Sequence, residues 1–152
     1  MHVAFICSAN MCRSVMAHAI METMAGAQGL DITVSSGGTL NLGPSSPAKD
    51  AWLTCLQNDT PVNKMESTYV GDLPLDTIDL FFVMQDKHRA SLVAKHGIDD
   101  HRIRLLGPCD DQSDDPEISD PIGRPMAEFE ACHARLTRCI RSFLDELAER
   151  GG

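Results

Sequence analysis

The run Ile78-Asp79-Leu80-Phe81-Phe82-Val83-Met84 sets large apolar side chains in succession, which suits a strand covered on both faces rather than one with a wet side. A strand of that kind needs elements packed above and below its sheet, and the remaining chain offers them in alternation. His2 to Cys7 reads as another buried strand, followed by a helix with Met16, Ala19, Ile20 and Met24 on one face. Ile32 to Ser36 reads as a strand ending in Gly37-Gly38, and a Ser/Pro stretch then leads to a helix near Ala48 to Leu56. A helix from about Lys87 to His96 precedes the strand Ile103 to Leu106. After a polar loop through Pro121, Phe129, Cys132, Leu136, Ile140, Phe143 and Leu147 recur at helical spacing in a long helix reaching about Glu149. This order predicts an α/β fold: an open parallel sheet of about four strands, right-handed crossovers and helices on both faces. With 152 residues and 43% of them hydrophobic, residues 1–152 are expected to form one domain without staples. Such sheets carry ligand sites beyond the carboxyl ends of their strands, so the loop after the first strand is the first place to look, and it is the residues of that loop that make it an expected phosphate-binding loop.

That loop is Cys7-Ser8-Ala9-Asn10-Met11-Cys12-Arg13-Ser14. Between a buried strand and an amphipathic helix, its backbone N–H groups can converge on an anion at the helix N-terminus. The same positive potential favours the thiolate of a cysteine at the loop's start, here Cys7. Arg13 can fold back and fork two oxygens of the anion. The Ser14 hydroxyl can donate to the thiolate and stabilise it as a leaving group. A nucleophile, an anion cradle and a bidentate cation in one short loop describe phosphoryl transfer through a cysteinyl-phosphate. The plainer alternative is a cysteine packed at a strand end beside a solvated arginine, because a bare C-x5-R pattern is common.

The sequence around this loop resembles the low-molecular-weight protein tyrosine phosphatases, whose usual form is V-C-x-G-N-x-C-R-S-P. Val3 to Cys7, Asn10, Cys12, Arg13 and Ser14 agree, and Met16-Ala17 matches the family's M-A. Ala9 replaces the glycine and Val15 the proline. If the glycine position needs a positive φ, Ala9 costs about 1 kcal/mol. The resemblance implies Cys7 as nucleophile, Arg13 as ligand of substrate and transition state, and Asn10 and Ser14 as supports of loop and thiolate. It also implies Cys12 as a redox partner that protects Cys7 by a reversible disulfide; otherwise Cys12 is a small buried side chain. Further along, Val34-Ser35-Ser36-Gly37-Gly38, Ile78 to Met84 and Arg102 to Gly107 resemble the family's later strands.

Departure of the leaving group needs a proton donor on a loop that reaches the cradle. Asp115-Pro116 and Asp120-Pro121 are both available. The family carries its acid in an Asp-Pro pair immediately before the last long helix, which favours Asp120. The family also lines its pocket with aromatics, whereas this chain offers Leu40 or Leu42 and Ile122. Leu40 and Ile122 are the candidate pocket walls, and the missing stacking is worth only about 0.5–1.5 kcal/mol. Met11 favours phosphotyrosine over phosphoarginine, the substrate of a related group that favours threonine there. A thioredoxin-coupled arsenate reductase would need another cysteine pair, and Val70 to Lys87 contains none.

Acidic residues number 22 against 13 basic ones, a net charge of −9, which gives no electrostatic footprint for nucleic acid or an anionic membrane. Phosphorylated proteins are the expected partners. The longest uncharged stretch, between Asp31 and Lys49, is broken by Gly, Ser and Pro, so neither a membrane span nor a signal peptide is expected. Six cysteines in such a chain point to a reduced, cytoplasmic protein. His88, His96, His101 and Cys109 show no metal-ligand spacing, Cys132 and Cys139 fall on one helical face, and Asp110 to Glu117 lacks EF-hand spacing. No metal and no other cofactor is expected. A rival from another class is a non-catalytic module that uses the cradle only to hold a phosphate, which would require neither a thiol nor an acid.

Overall fold

The structure, a computed structural model, describes residues 1–151; Gly152, the last residue of the expected domain, lies outside the described residues. Strands β1 (His2–Cys7), β2 (Thr33–Gly38), β3 (Leu80–Val83) and β4 (Ile103–Leu105) form a parallel sheet in the order β2-β1-β3-β4. Helices α1 (Arg13–Ala27), α2 (Lys49–Gln57), α3 (Asp86–His96) and α4 (Met126–Gly151) alternate with them. Strand β1 lies inside the sheet, and its two faces feed different cores. Val3, Phe5 and Cys7 pack with Phe82 against Met16 and Ile20 of α1, Ala51 and Cys55 of α2, and Leu136, Ile140 and Phe143 of α4. Ala4 and Ile6 turn the other way, toward Phe81, Val83 and Leu92 of α3. Alternation along a strand buried on both faces explains why the sequence shows an unbroken apolar run there.

Three strands differ at their ends from those expected: β4 stops at Leu105 rather than Leu106, β2 begins at Thr33 rather than Ile32, and the larger differences are in β3 and at the end of β2. Strand β3 is confined to Leu80–Val83, shorter than Ile78 to Met84, because Ile78 closes a 3-10 turn at Leu75–Thr77 and lies against the α3-side core. Strand β2 runs on through Gly38 instead of stopping at Ser36, pairing Gly37 with Ile6 and Gly38 with Cys7. Its glycines are needed there. A Cβ on Gly38 would lie 2.6 Å from the Ser8 carbonyl oxygen and 3.0 Å from the Ala9 carbonyl carbon, so only bare backbone fits beneath the loop.

Candidate active site

The loop that joins β1 to α1 is held by its carbonyls. Thr39 N–H donates to Cys7 O, Leu40 N–H to Ser8 O, Ala48 N–H to Met11 O and Met16 N–H to Cys12 O. In a trans peptide the N–H points opposite to the C=O. The N–H groups of Ser8, Ala9, Cys12 and Arg13 are therefore directed away from those partners, into the hollow at the start of α1. That is the arrangement a tetrahedral oxyanion requires.

Asn10 sits at the top of this loop at φ 57° and is 1% exposed. Asparagine is among the few non-glycine residues that tolerate this left-handed backbone. Ala9 has no positive φ, so the strain conditionally expected at that residue does not arise. The Asn10 side chain works in both directions: Oδ1 accepts from Thr68 N–H at 2.9 Å and Nδ2 donates to Ser14 Oγ at 2.7 Å. Since Ser14 Oγ receives that bond, its own proton is free for Cys7 Sγ, 2.9 Å away.

Arg13 is buried, at 2% exposure, and its guanidinium is tied at one end. Nη1 donates to Gln85 Oε1 at 2.6 Å and to the Ile118 carbonyl at 2.9 Å. Nη2 faces Asp120 Oδ2 at 3.6 Å. Asp120 stands in the loop before α4, where its Oδ1 accepts from Ile122 N–H, and its carboxylate is 39% exposed. Asp115 is placed elsewhere: its carboxylate accepts from Glu117 N–H and its carbonyl from Arg135.

Cys7, Ala9, Met11, Cys12, Arg13, Asp120 and Ile122 line one cavity of about 70 Å³. Leu40, expected as its second wall, lines instead a neighbouring groove that shares only Ala9 with it. The reason is its backbone bond to Ser8 O, which keeps Leu40 outside the loop. Cys12 is 5% exposed, and burial, with the Asp120 charge adding to it, pushes its thiol up to about 12. Burial likewise drives Cys132, on the α4 side, to about 12. Among the described residues no group of three or more His, Cys, Asp or Glu side chains is placed to hold a metal ion, and no helix is long and apolar enough to cross a membrane.

Two residues at the site were not legible in the sequence. Gln85 and His88, at the start of α3, reach the loop from the α3 side of the sheet: Gln85 through Arg13, and His88 through Nε2 to Ser8 Oγ at 3.0 Å. The only available signal was position, since Gln85 follows the carboxyl end of a buried strand.

A family profile described as low molecular weight phosphotyrosine protein phosphatase matches residues 2–151. The chain is 27% identical over 154 residues to low molecular weight protein-tyrosine phosphatase A of Mycobacterium tuberculosis, covering 99% of this chain and 93% of that protein. It is 22% identical over 147 residues to the protein-arginine-phosphatase of Bacillus subtilis, with 97% of each covered. Among solved structures, a low molecular weight protein tyrosine phosphatase from T. tengcongensis superposes with a TM-score of 0.88 at 22% identity, over 96% of this chain and 99% of that one.

Proposed function

Because the chain belongs to the low molecular weight phosphotyrosine protein phosphatase family and is thus a cysteine-based phosphatase, we propose that it hydrolyses phosphotyrosine in proteins with Cys7 as nucleophile, Arg13 as anion clamp and Asp120 as general acid. The observation that carries the residue roles is the meeting of all three on one small cavity at the N-terminus of α1. Cys7 Sγ attacks phosphorus in line with the ester bond. The S–P bond forms as the ester P–O bond breaks, and the departing oxygen takes a proton from Asp120. Ser8 to Ser14 and the free edge of Arg13 hold the equatorial oxygens while charge spreads over them. Water then attacks phosphorus, Asp120 takes its proton, the S–P bond breaks, and inorganic phosphate leaves. The Ser14 hydroxyl, in reach of Cys7 Sγ, stabilises the departing thiolate.

Met11, Ala9 and Ile122 supply the apolar mouth that an aryl phosphate enters, with Leu40 on the adjoining groove where the substrate chain continues. A protein-arginine phosphatase is the second reading, favoured by the full-length similarity to the Bacillus subtilis enzyme. Cys12 is a candidate disulfide partner of Cys7 through its place in the same cavity; the burial that keeps it protonated works against rapid exchange. The free state of all six cysteines supports a reducing, cytoplasmic setting, and the net charge of −9 supports phosphoproteins over nucleic acid or membrane as partners.

Turnover of para-nitrophenyl phosphate tests the chemistry. Wild type is expected to be active and Cys7→Ser inactive; an inactive wild type favours the phosphate-binding module. Asp120→Ala should lose on the order of 10²–10⁴ in rate for poor leaving groups and less for good ones, and an unchanged rate removes Asp120 from the role. Competition between phosphotyrosine and phosphoarginine peptides tests the substrate, with preference for the second overturning the tyrosine assignment.

A further inference from the structure

The start of α3 holds the phosphate loop at two points. One is Arg13, where Gln85 Oε1 accepts from Nη1 at 2.6 Å. The other is Ser8, whose Oγ lies 3.0 Å from His88 Nε2. Gln85 and His88 are themselves joined, because the Gln85 backbone N–H donates to His88 Nδ1 at 3.1 Å. That bond makes Nδ1 the acceptor and leaves the ring proton on Nε2, so His88 donates to Ser8. The ring is 1% exposed, and burial, with the charges of Arg13 and Lys87 adding to it, pushes it down to about 3. It is neutral and its tautomer is fixed at any ordinary pH.

The arrangement around Arg13 decides which edge of the guanidinium meets substrate. The group has five donors in one plane. The two on Nη1 are taken by Gln85 and by the Ile118 carbonyl. The Nε–H and the two protons on Nη2 remain, and Nη2 is the nitrogen that faces Asp120 across the cavity. We propose that Gln85 is a positioning residue for this phosphatase: by accepting from Nη1 it holds Arg13 so that its Nε/Nη2 edge forks the phosphoryl oxygens. Because Gln85 is neutral, it orients the guanidinium without cancelling the charge that attracts a dianion. His88 completes the device by anchoring the same turn of α3 to Ser8. The inference rests on the phosphoryl-transfer reading of the site and adds to it a residue outside the loop.

Two variants separate orientation from charge. Gln85→Met keeps the side chain's length but removes the acceptor. Gln85→Glu keeps the acceptor but places a carboxylate on Arg13. For Gln85→Met, kcat/KM with para-nitrophenyl phosphate should fall on the order of 10–100-fold, the scale of a misplaced reacting group, and inorganic phosphate should bind about tenfold more weakly by calorimetry, on the scale of one lost charge-assisted bond. For Gln85→Glu, kcat should return to within about threefold of wild type while KM and the phosphate Kd stay raised, since geometry is restored but the added charge opposes the anion. Thermal melts run alongside report folding. Wild-type kcat and phosphate affinity in Gln85→Met would overturn the proposal, as would equal loss of kcat in both variants at equal melting temperature. Calorimetry of phosphate does not depend on turnover, so failure of the catalytic reading and failure of the positioning role give different results.

Discussion

Asn10 meets two demands that are ordinarily met by different residues. Its φ of 57° favours glycine or asparagine, and its side chain bridges Thr68 to Ser14 and so sets the hydroxyl that faces Cys7. The two demands are separable by substitution. Asn10→Gly keeps the backbone and drops both bonds; Asn10→Ala also places a Cβ in the left-handed region, which costs about 1–2 kcal/mol more. Chemical denaturation should therefore rank wild type above Asn10→Gly and Asn10→Gly above Asn10→Ala. Both variants should show a lower kcat with para-nitrophenyl phosphate, because Ser14 is no longer directed at Cys7. Equal stability of the two variants would show that the strain is relieved by movement of the loop. At this scale the sequence was legible wherever the chemistry was local: Cys7, Arg13 and Ser14 lie within eight consecutive residues. Gln85 and His88 were hidden because their contacts span 72 and 80 residues of sequence, and nothing in a lone Gln or His reports such a partner.

Between elements, the close approach of β2 to the loop is as restrictive as the loop's own residues. Strand β2 ends under Ser8 and Ala9, and the segment after it continues the ladder through Thr39 and Leu40 to Cys7 O and Ser8 O. Gly38→Ala should push the Ser8 carbonyl, and with it the Ala9 N–H of the cradle, because the obstructing atoms are backbone and cannot turn aside. Overpacking of this kind costs about 1–3 kcal/mol, and kcat/KM should fall at least about tenfold, since displacement of the cradle reaches the reacting atoms. Gly26→Ala is the control: nothing lies within 4 Å of a Cβ in that turn of α1. It should leave activity unchanged and raise stability by about 0.5–1 kcal/mol. If Gly38→Ala also keeps full activity, the loop is more compliant than its hydrogen bonds imply. The Gly37-Gly38 pair was visible in the sequence, yet its reason was not, because it depends on which strand lies beside β1. The apolar runs gave the existence of the strands well; their ends were set by the loop and the 3-10 turn at Leu75–Thr77, which periodicity does not encode.

Across the whole molecule, histidines whose proton affinity is lowered by burial shape the response to mild acid. Burial pushes His18 down to about 4 and His88 to about 3, and it lowers His2 and His133 as well. His18 is held by Ser36 Oγ at 2.8 Å on the β2 side, as His88 is by Ser8 on the other. An unfolded histidine takes up a proton near pH 6.5, whereas His18 and His88 in the fold do not until pH falls to about 4 and about 3. Between those values the unfolded chain binds more protons, so stability is complete above about 6.5 and declines as pH falls toward 4. Each such histidine contributes a slope of up to about 1.4 kcal/mol per pH unit in that window. The buried Asp110 behaves differently. Its carboxylate, 0% exposed and paired with Arg135 and Arg138, is held below the ordinary range chiefly by the Arg138 hydrogen bond. Its contribution is retained above about pH 4 and is lost only as pH falls toward its folded value, so it leaves the 5–7 interval untouched. Urea unfolding at pH 7, 6 and 5 should show a steady loss of stability, and His18→Gln, which cannot titrate, should show a shallower slope even where its stability at pH 7 is lower. A slope that is the same in wild type and His18→Gln would mean that His18 is protonated inside the fold, with Glu22, 3.5 Å from its Nε2, as the counter-charge that permits it.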